Sequence, residues 1–533
     1  MRLNTVSRLD TDTTFLKNLI DDIKKGEVKI PQFQRKFVWK EQQALDLLDS
    51  IVNNYPIGSL LLWRTQSKLA TERNIGDFKL PATDDLTPTD YVLDGQQRIT
   101  VIYSCLGAPD GEKGFAVAYD LDKDSFGLMP DEHNPRMFPM RWLYDTTKML
   151  NFRTGLQSFP KGDEYQETLD ALISAFTNYK IPVVTLKELS LEEVCPIFER
   201  INSSGTKLSM YDLMVAATWS QSFDLNEEAG KITAALGPKG FGNVDPNTIL
   251  KCLAAVHLGS IKKDDILALR SIDVANMDAL VETTRKAMLR AVDLLSTEFK
   301  IYSWEFLPYE AFAIVLCYIF SRVGTLSSEK LVRVRQWFWR ASFNERYRVG
   351  GEGFVTRDLQ LIQKFVVDEV GDATQFGTAP TANQLINAAF RFNNSRARAF
   401  ILALAMRGPR NLTNGATIDT ADALSTYNRK QFHHIYPRAH LKRIEDPEED
   451  NTIINICMLT ASENNMVSDR DPNEYLPEAI ERLGNDASAV LKSNLIPTAD
   501  ELDYASATYT QFLNARSYLV AGYIAKLCEG KVH

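Results

Sequence analysis

The sequence predicts an α+β protein, largely helical, with strand-bearing regions near its two ends and a helical region between them. Three observations carry this. The short apolar run Tyr91-Val92-Leu93 passes through Asp94-Gly95-Gln96-Gln97-Arg98 into an apolar helix containing Ile99, Ile102 and Cys105. From about Leu208 to Met406 the apolar spacing is that of amphipathic helices, as in Met277 to Phe299 and Glu329 to Arg340. Near the C-terminus a histidine-rich strand is followed by a second apolar strand and the start of a helix. The resulting division is 1–215, 216–405 and 406–533.

Along the chain, Phe15, Leu16, Leu19, Ile20 and Ile23 share one helical face, with a threonine cap before them and Gly26 after. A second helix is expected over Glu41 to Asn53, where Ala44, Leu45, Leu48, Ile51 and Val52 make the apolar stripe. The turn Tyr55-Pro56-Ile57-Gly58 ends it and leads into a strand over Ser59 to Trp63. Gly408-Pro409-Arg410-Asn411 and the polar stretch Thr413 to Thr420 mark the boundary before the histidine-rich segment.

At 44% hydrophobic and 24% charged residues over 533 positions, the chain has the composition of a folded globular protein rather than a disordered one. Its six cysteines are widely spaced and form no CxxC pair, which fits reduced thiols rather than zinc or a disulfide framework. MRLNTVSRLDTDTTF carries acidic residues where a signal peptide needs an apolar core, and the apolar run Ala311 to Phe320 is too short to span a bilayer. A soluble, cytoplasmic protein without membrane partners is the expectation. A net charge of -9 argues against coating nucleic acid through bulk charge, so any DNA contact must be local.

Two constellations carry chemistry. Of six histidines, His433, His434 and His440 fall within FHHIYPRAHL. Adjacent histidines on an extended segment point to opposite sides, so one can bind a metal while the other activates water. Downstream, Ile453 to Leu459 reads as a strand interrupted by Asn455, and Thr460 to Asn465 as the start of a helix. At the other end, Asp94, Gly95, Gln96, Gln97 and Arg98 sit at the mouth of a predicted helix, where free N–H groups favour anions and arginine can grip phosphate oxygens. No GxxxxGK[ST] run is present, so nucleotide chemistry here does not use a P-loop.

The C-terminal order of strand, loop, strand and helix resembles the ββα-metal (HNH) nucleases, specifically the nuclease domain of GmrSD-type modification-dependent restriction endonucleases. The resemblance implies that His434, in His434-Ile435-Tyr436-Pro437, is the general base and His433 a metal ligand. It implies that Asn455 shapes the base-bearing loop and that Asn464 completes the metal site, with Asn465 one residue away able to exchange roles with it. Asp469-Arg470-Asp471-Pro472-Asn473-Glu474-Tyr475-Leu476 continues the likeness, and His440, which no family position claims, is expected to be structural. At the N-terminus, IPQFQRKFVW, Pro56-Ile57-Gly58-Ser59, DGQQR and Phe198-Glu199-Arg200-Ile201-Asn202-Ser203-Ser204-Gly205-Thr206 occur in the order of the same family's N-terminal domain. This implies a ParB/sulfiredoxin-like fold whose DGQQR segment binds and hydrolyses an NTP, GTP being one candidate, with Gln34, Arg35, Arg200 and Asn202 nearby.

In the helical region, Arg333, Arg335, Arg340, Arg346 and Arg348 alternate with Trp337, Phe338, Trp339, Phe343 and Tyr347. Arginine with aromatics can form a nucleic-acid groove, but burial of the tryptophans in an amphipathic helix is the preferred expectation. Arg391, Arg396, Arg398, Arg407 and Arg410, just before the histidines, are the better candidates for DNA contact. The implied function is an NTP-regulated DNA endonuclease of phage defence that senses DNA or its modification and uses Mg2+ or Mn2+. A single active site per chain points to a homodimer for a double-strand break. A nucleotide-dependent sensor with a silent nuclease fold and an RNA-directed nuclease stand as alternatives.

Overall fold

In the computed structural model, the apolar run beginning at Leu60 lies at the centre of a five-stranded sheet. The structure describes residues 8–31, 37–66, 74–75, 78–79, 88–109, 115–129, 134–190, 193–194, 197, 210–218, 223–348, 351–392, 394–424, 432–446, 448, 450–459, 463 and 467–531. The chain divides into two compact units, Met1–Leu225 and Asn226–His533. The boundary expected at 406 falls inside the second.

In the first unit the sheet consists of β1 (Leu9–Phe15), β2 (Val28–Lys29), β3 (Leu60–Thr65), β6 (Thr89–Asp94) and β10 (Lys180–Lys187), in the order β1-β10-β3-β6-β2. Between β3 and β6 lies a small hairpin, β4 (Asn74–Ile75) and β5 (Phe78–Lys79). A three-stranded meander, β7 (Val117–Asp120), β8 (Ser125–Leu128) and β9 (Met137–Pro139), precedes β10. β3 reads as continuous apolar sequence because both its faces are covered. Leu60 and Leu62 join a large core with Val92 and the helices, whereas Leu61 and Trp63 join a smaller cluster with Tyr91, Leu93 and Leu186.

Helix α1 (Leu16–Lys25) begins one residue later than its apolar stripe, because Phe15 belongs to β1 and no side chain caps the helix. Leu16, Leu19, Ile20 and Ile23 face the core, and Gly26 closes the helix with φ of 78°. Helix α2 (Glu41–Val52) buries Ala44, Leu47, Leu48 and Ile51. β6 ends at Asp94, and α3 (Gln96–Ile102) starts after a single residue, Gly95. The wider turn Tyr103–Gly107 continues α3 through Cys105.

The second unit is mostly helical. Val274–Phe299, Glu310–Arg322 and Ser328–Phe343 pack around aromatics, with Phe299 and Phe338 stacked at 3.9 Å between centroids. Trp337, Phe338 and Trp339 are almost wholly buried. Two short strands, β11 (Phe432–His434) and β12 (Ile456–Met458), pair antiparallel with His433 opposite Cys457 and His434 opposite Ile456. The apolar run from Ile453 is therefore only partly strand. Ile453–Asn455 forms a tight turn because the Thr452 side chain caps it and Asn455 turns its own amide onto the neighbouring loop. Among the described residues no helix is long and apolar enough to cross a membrane.

Candidate functional site

The sequence-predicted residues that the structure describes at DGQQR lie in the first unit, and those around His434 lie in the second. In the first unit Gly95 has φ of 100°, and a Cβ there would lie 2.4 Å from Leu60 Cδ2 and 3.3 Å from Arg98 Nη2. Only glycine permits this direct passage from strand to helix. Arg98 Nη1 donates to Ile57 O at 2.8 Å, and Nη2 pairs with Asp94 at 3.2 Å. A Cβ on Gly58, whose φ is 84°, would come within 2.6 Å of the same Nη1. The guanidinium thus lies against two glycines and is 15% exposed, with Asp94 more open at 43%.

The two glutamines divide their work. Gln97 Oε1 accepts from the amides of Val38 at 3.0 Å and Trp39 at 3.3 Å, tying that segment to α3. Gln97 Nε2 and Gln96 Oε1 are buried without a hydrogen-bond partner among the described residues, and Thr100 Oγ1, one turn beyond Gln96, is in the same position. Buried polar atoms are rarely left so, and an added ligand is one way of satisfying them. Gln34, Arg35, Arg200 and Asn202 lie outside the described residues.

In the second unit Asn455 is fully buried. Its Oδ1 accepts from Tyr436 N at 2.8 Å, and its Nδ2 donates to Tyr436 O at 2.9 Å and Asp450 O at 3.0 Å. Its backbone carbonyl accepts from Ile435 N at 2.8 Å. Tyr475 Oη also donates to Ile435 O. The loop after His434 is therefore held at four backbone groups, the N–H and carbonyl of Ile435 and those of Tyr436. His434 Nε2 lies 3.0 Å from Asn451 Oδ1. Burial lowers the His434 pKa, with Asn451 opposing, Arg438 adding to the lowering and Asp450 raising it. Arg438 and Asp450 pair with each other at 2.9 Å.

His433 precedes His434 on β11, half-buried, and Cys457 Sγ lies 3.7 Å from its carbonyl. Asn464 and Asn465 lie outside the described residues. Among the described residues no three His, Cys, Asp or Glu side chains gather into a metal cage. His440 is buried in the helix Arg438–Arg443, 3.8 Å from Asp471.

Four of the five arginines expected to meet DNA make internal contacts. Arg396 donates to Phe343 O and pairs with Glu345, and Arg398 donates to the carbonyls of Phe392 and Leu307. Arg407 lies over the Tyr523 ring, and Arg410 forms a two-pronged pair with Asp486 and donates to Gly415 O. Arg391 is exposed.

Residues 16–219 match the GmrSD restriction endonuclease N-terminal domain. The GmrSD match begins with α1 and includes Asp94–Arg98, so the strand–glycine–helix passage lies inside it. The chain is also similar to Uncharacterized protein MJ0686 of Methanocaldococcus jannaschii, at 24% identity over 538 aligned residues covering 87% of each chain. That likeness extends past the GmrSD match into the second unit.

Sequence reading missed two residues around His434. Asn451 touches the ring itself, and its position in the polar turn Asp450-Asn451-Thr452, four residues before Asn455, was the available signal. Arg516, in the last long helix, is fully buried and donates to the carbonyls of Leu495, Asn494 and Ile454. Burial pushes its pKa down to about 10. By holding Ile454 it fixes the residue that precedes Asn455.

Proposed function

We propose that this chain is an NTP-regulated, metal-dependent DNA endonuclease of anti-phage defence. In this reading the first unit uses nucleotide in sensing DNA or its modification, and the C-terminal site cleaves phosphodiesters. The observation that carries it is the pairing of a GmrSD N-terminal match with a second unit in which His434 is oriented by Asn451 and its loop is clasped by Asn455.

His434 takes a proton from water, the water oxygen bonds to phosphorus, and the bond from phosphorus to the 3′ oxygen breaks, the departing oxygen taking a proton from solvent water. Asn455 holds the backbone of the loop that follows His434. His433 would hold Mg2+ or Mn2+, with Asn464 as the expected second protein ligand. Such a donor set leaves most positions of a hard dication for water and phosphate oxygens. When bound, the ion supplies charge stabilisation for the phosphate and the departing oxygen.

In the first unit, Gln96 and Gln97 offer unsatisfied buried amide atoms to a hydrogen-bonding ligand, and Asp94 with Arg98 flanks them. This supports nucleotide binding at DGQQR, with GTP the first nucleotide to test.

The test compares wild type, His434→Ala and Asp94→Ala on modified phage DNA and plasmid with Mg2+ or Mn2+, with and without nucleotide. Cleavage by wild type, lost in His434→Ala and altered in its nucleotide response in Asp94→Ala, is expected. Absence of cleavage by wild type under every condition, with phage restriction surviving His434→Ala, sinks the nuclease reading.

A further inference from the structure

Asn451 belongs to none of the motifs singled out above, yet its side chain contacts the His434 ring. Its two amide atoms can be told apart by their partners. Nδ2 lies 2.9 Å from Phe390 O, a carbonyl that can only accept, so this atom is the donor and Oδ1 is the atom facing His434 at 3.0 Å. Oδ1 can itself only accept, so the ring nitrogen it meets, Nε2, carries the hydrogen. The lone pair of the neutral ring is then on Nδ1.

Asn451 is itself fixed from outside the histidine segment. Phe390 N donates to Asn451 O at 2.6 Å, and Ile453 N donates to Ala388 O at 2.8 Å. Ala389 and Thr452 form an isolated antiparallel bridge, and Thr452 Oγ1 reaches Leu385 O at 3.3 Å. Leu385–Phe390 therefore grips Asn451–Ile453 along its length, and Phe390 in addition packs against Phe432 at the head of β11. An oriented imidazole needs a partner on one nitrogen so that the other faces the reacting water.

We propose that Asn451 is the positioning residue of His434: it holds the ring as the Nε2–H tautomer, turns Nδ1 toward the reacting water, and is itself set by the Leu385–Phe390 segment. The assignment rests on the nuclease reading for its catalytic consequence, but the tautomer itself does not depend on cleavage.

The experiment uses the full chain labelled with 15N-histidine, with the His434 signals assigned by their loss in His434→Gln. Long-range proton–nitrogen spectra of wild type are expected to show a single Nε2–H tautomer for His434. Asn451→Leu, similar in volume and without an acceptor, is expected to lose that single tautomer and to lower kcat by ~10–100-fold with little change in KM for DNA. Asn451→Asp, which keeps an acceptor for Nε2–H but loses the donor to Phe390 O, is expected to retain the tautomer and to lose less of the rate than Asn451→Leu. Melting temperatures of both variants identify any that fail to fold, and Asn451→Asp then decides alone. An unchanged tautomer in folded Asn451→Leu, or loss of the tautomer in folded Asn451→Asp, overturns the proposal. Wild type that shows the tautomer but cuts no DNA overturns the nuclease reading and leaves the positioning of the ring in place.

Discussion

Asn455 holds both backbone polar groups of Tyr436, accepting from its N–H and donating to its carbonyl through one side-chain amide. Tyr436 is itself buried, so removing the amide strands polar groups that water does not reach. Asn455→Ala is expected to destabilise the second unit by about 3 kcal/mol, the cost of leaving buried donors and acceptors unpaired. Asn455→Asp should do no better, because a carboxylate cannot donate to Tyr436 O and Asp450 O. Urea unfolding followed by tyrosine and tryptophan fluorescence measures this. A loss under about 1 kcal/mol in both variants would show that the clasp does not hold the loop.

Gly95 is the hinge of the other site. Its φ of 100° and the 2.4 Å approach of a Cβ to Leu60 Cδ2 leave no room for a side chain. Gly95→Ala should cost about 1–3 kcal/mol through backbone strain and should displace α3 from β3. Nucleotide turnover should fall with it. Unchanged thermal stability together with unchanged turnover would mean that the strand-to-helix passage relaxes without harm.

Arg410 and Asp486 test whether a basic stretch read from sequence is available to DNA. The Arg410 guanidinium beside Asp486 holds its carboxyl below the usual carboxylate range. A carboxyl depressed on folding adds stability above its unfolded pKa, and that stability is lost as pH falls through the folded value. The coupling in a double-mutant cycle should therefore be present at pH 7, vanish in acid, and weaken in salt because the pair is at the surface. Asp486→Asn should release Arg410. If that arginine can reach phosphate, DNA binding strengthens and its salt slope steepens by about 1; unaltered binding and slope would remove Arg410 from the DNA-contacting set.

The parts of the fold that were legible in sequence are those with a strong local signal. β3 and β6 showed as apolar runs bounded by turn residues, α1 and α2 as apolar stripes, and Ser328–Phe343 by its buried tryptophans. β1 was not legible: LDTDTTF is polar and almost wholly exposed, and it is a strand only because β10 pairs with it. Asn455 was found by its place in a motif, whereas its effect on the strand was missed, since a side chain that bonds to a distant loop leaves no periodicity. Asn451 and Arg516 escaped for a related reason. Their partners are backbone carbonyls and a ring brought together by tertiary structure. The arginines at 396, 398, 407 and 410 show the converse, since a run of charge in sequence does not reveal which charges are already engaged.

Gln97 joins the DGQQR helix to the chain that follows IPQFQRK. One oxygen, Oε1, accepts from two successive amides, Val38 N and Trp39 N, while the residue is only 7% exposed. Val38 is itself 57% exposed, so little else shields its amide. Gln97→Leu keeps the bulk and removes the acceptor. Losing a net hydrogen bond of about 1 kcal/mol should speed amide exchange at Val38 and Trp39 by roughly fivefold to tenfold. Gln97→Glu keeps an acceptor, so exchange there should stay slow. The same two variants separate tethering from ligand binding, because both remove the Nε2 donor that has no partner among the described residues. If nucleotide uses that donor, both variants lose turnover although only Gln97→Leu loses the tether. Turnover that survives in Gln97→Glu assigns Gln97 to the tether alone and shifts nucleotide recognition to Gln96, Asp94 and Arg98.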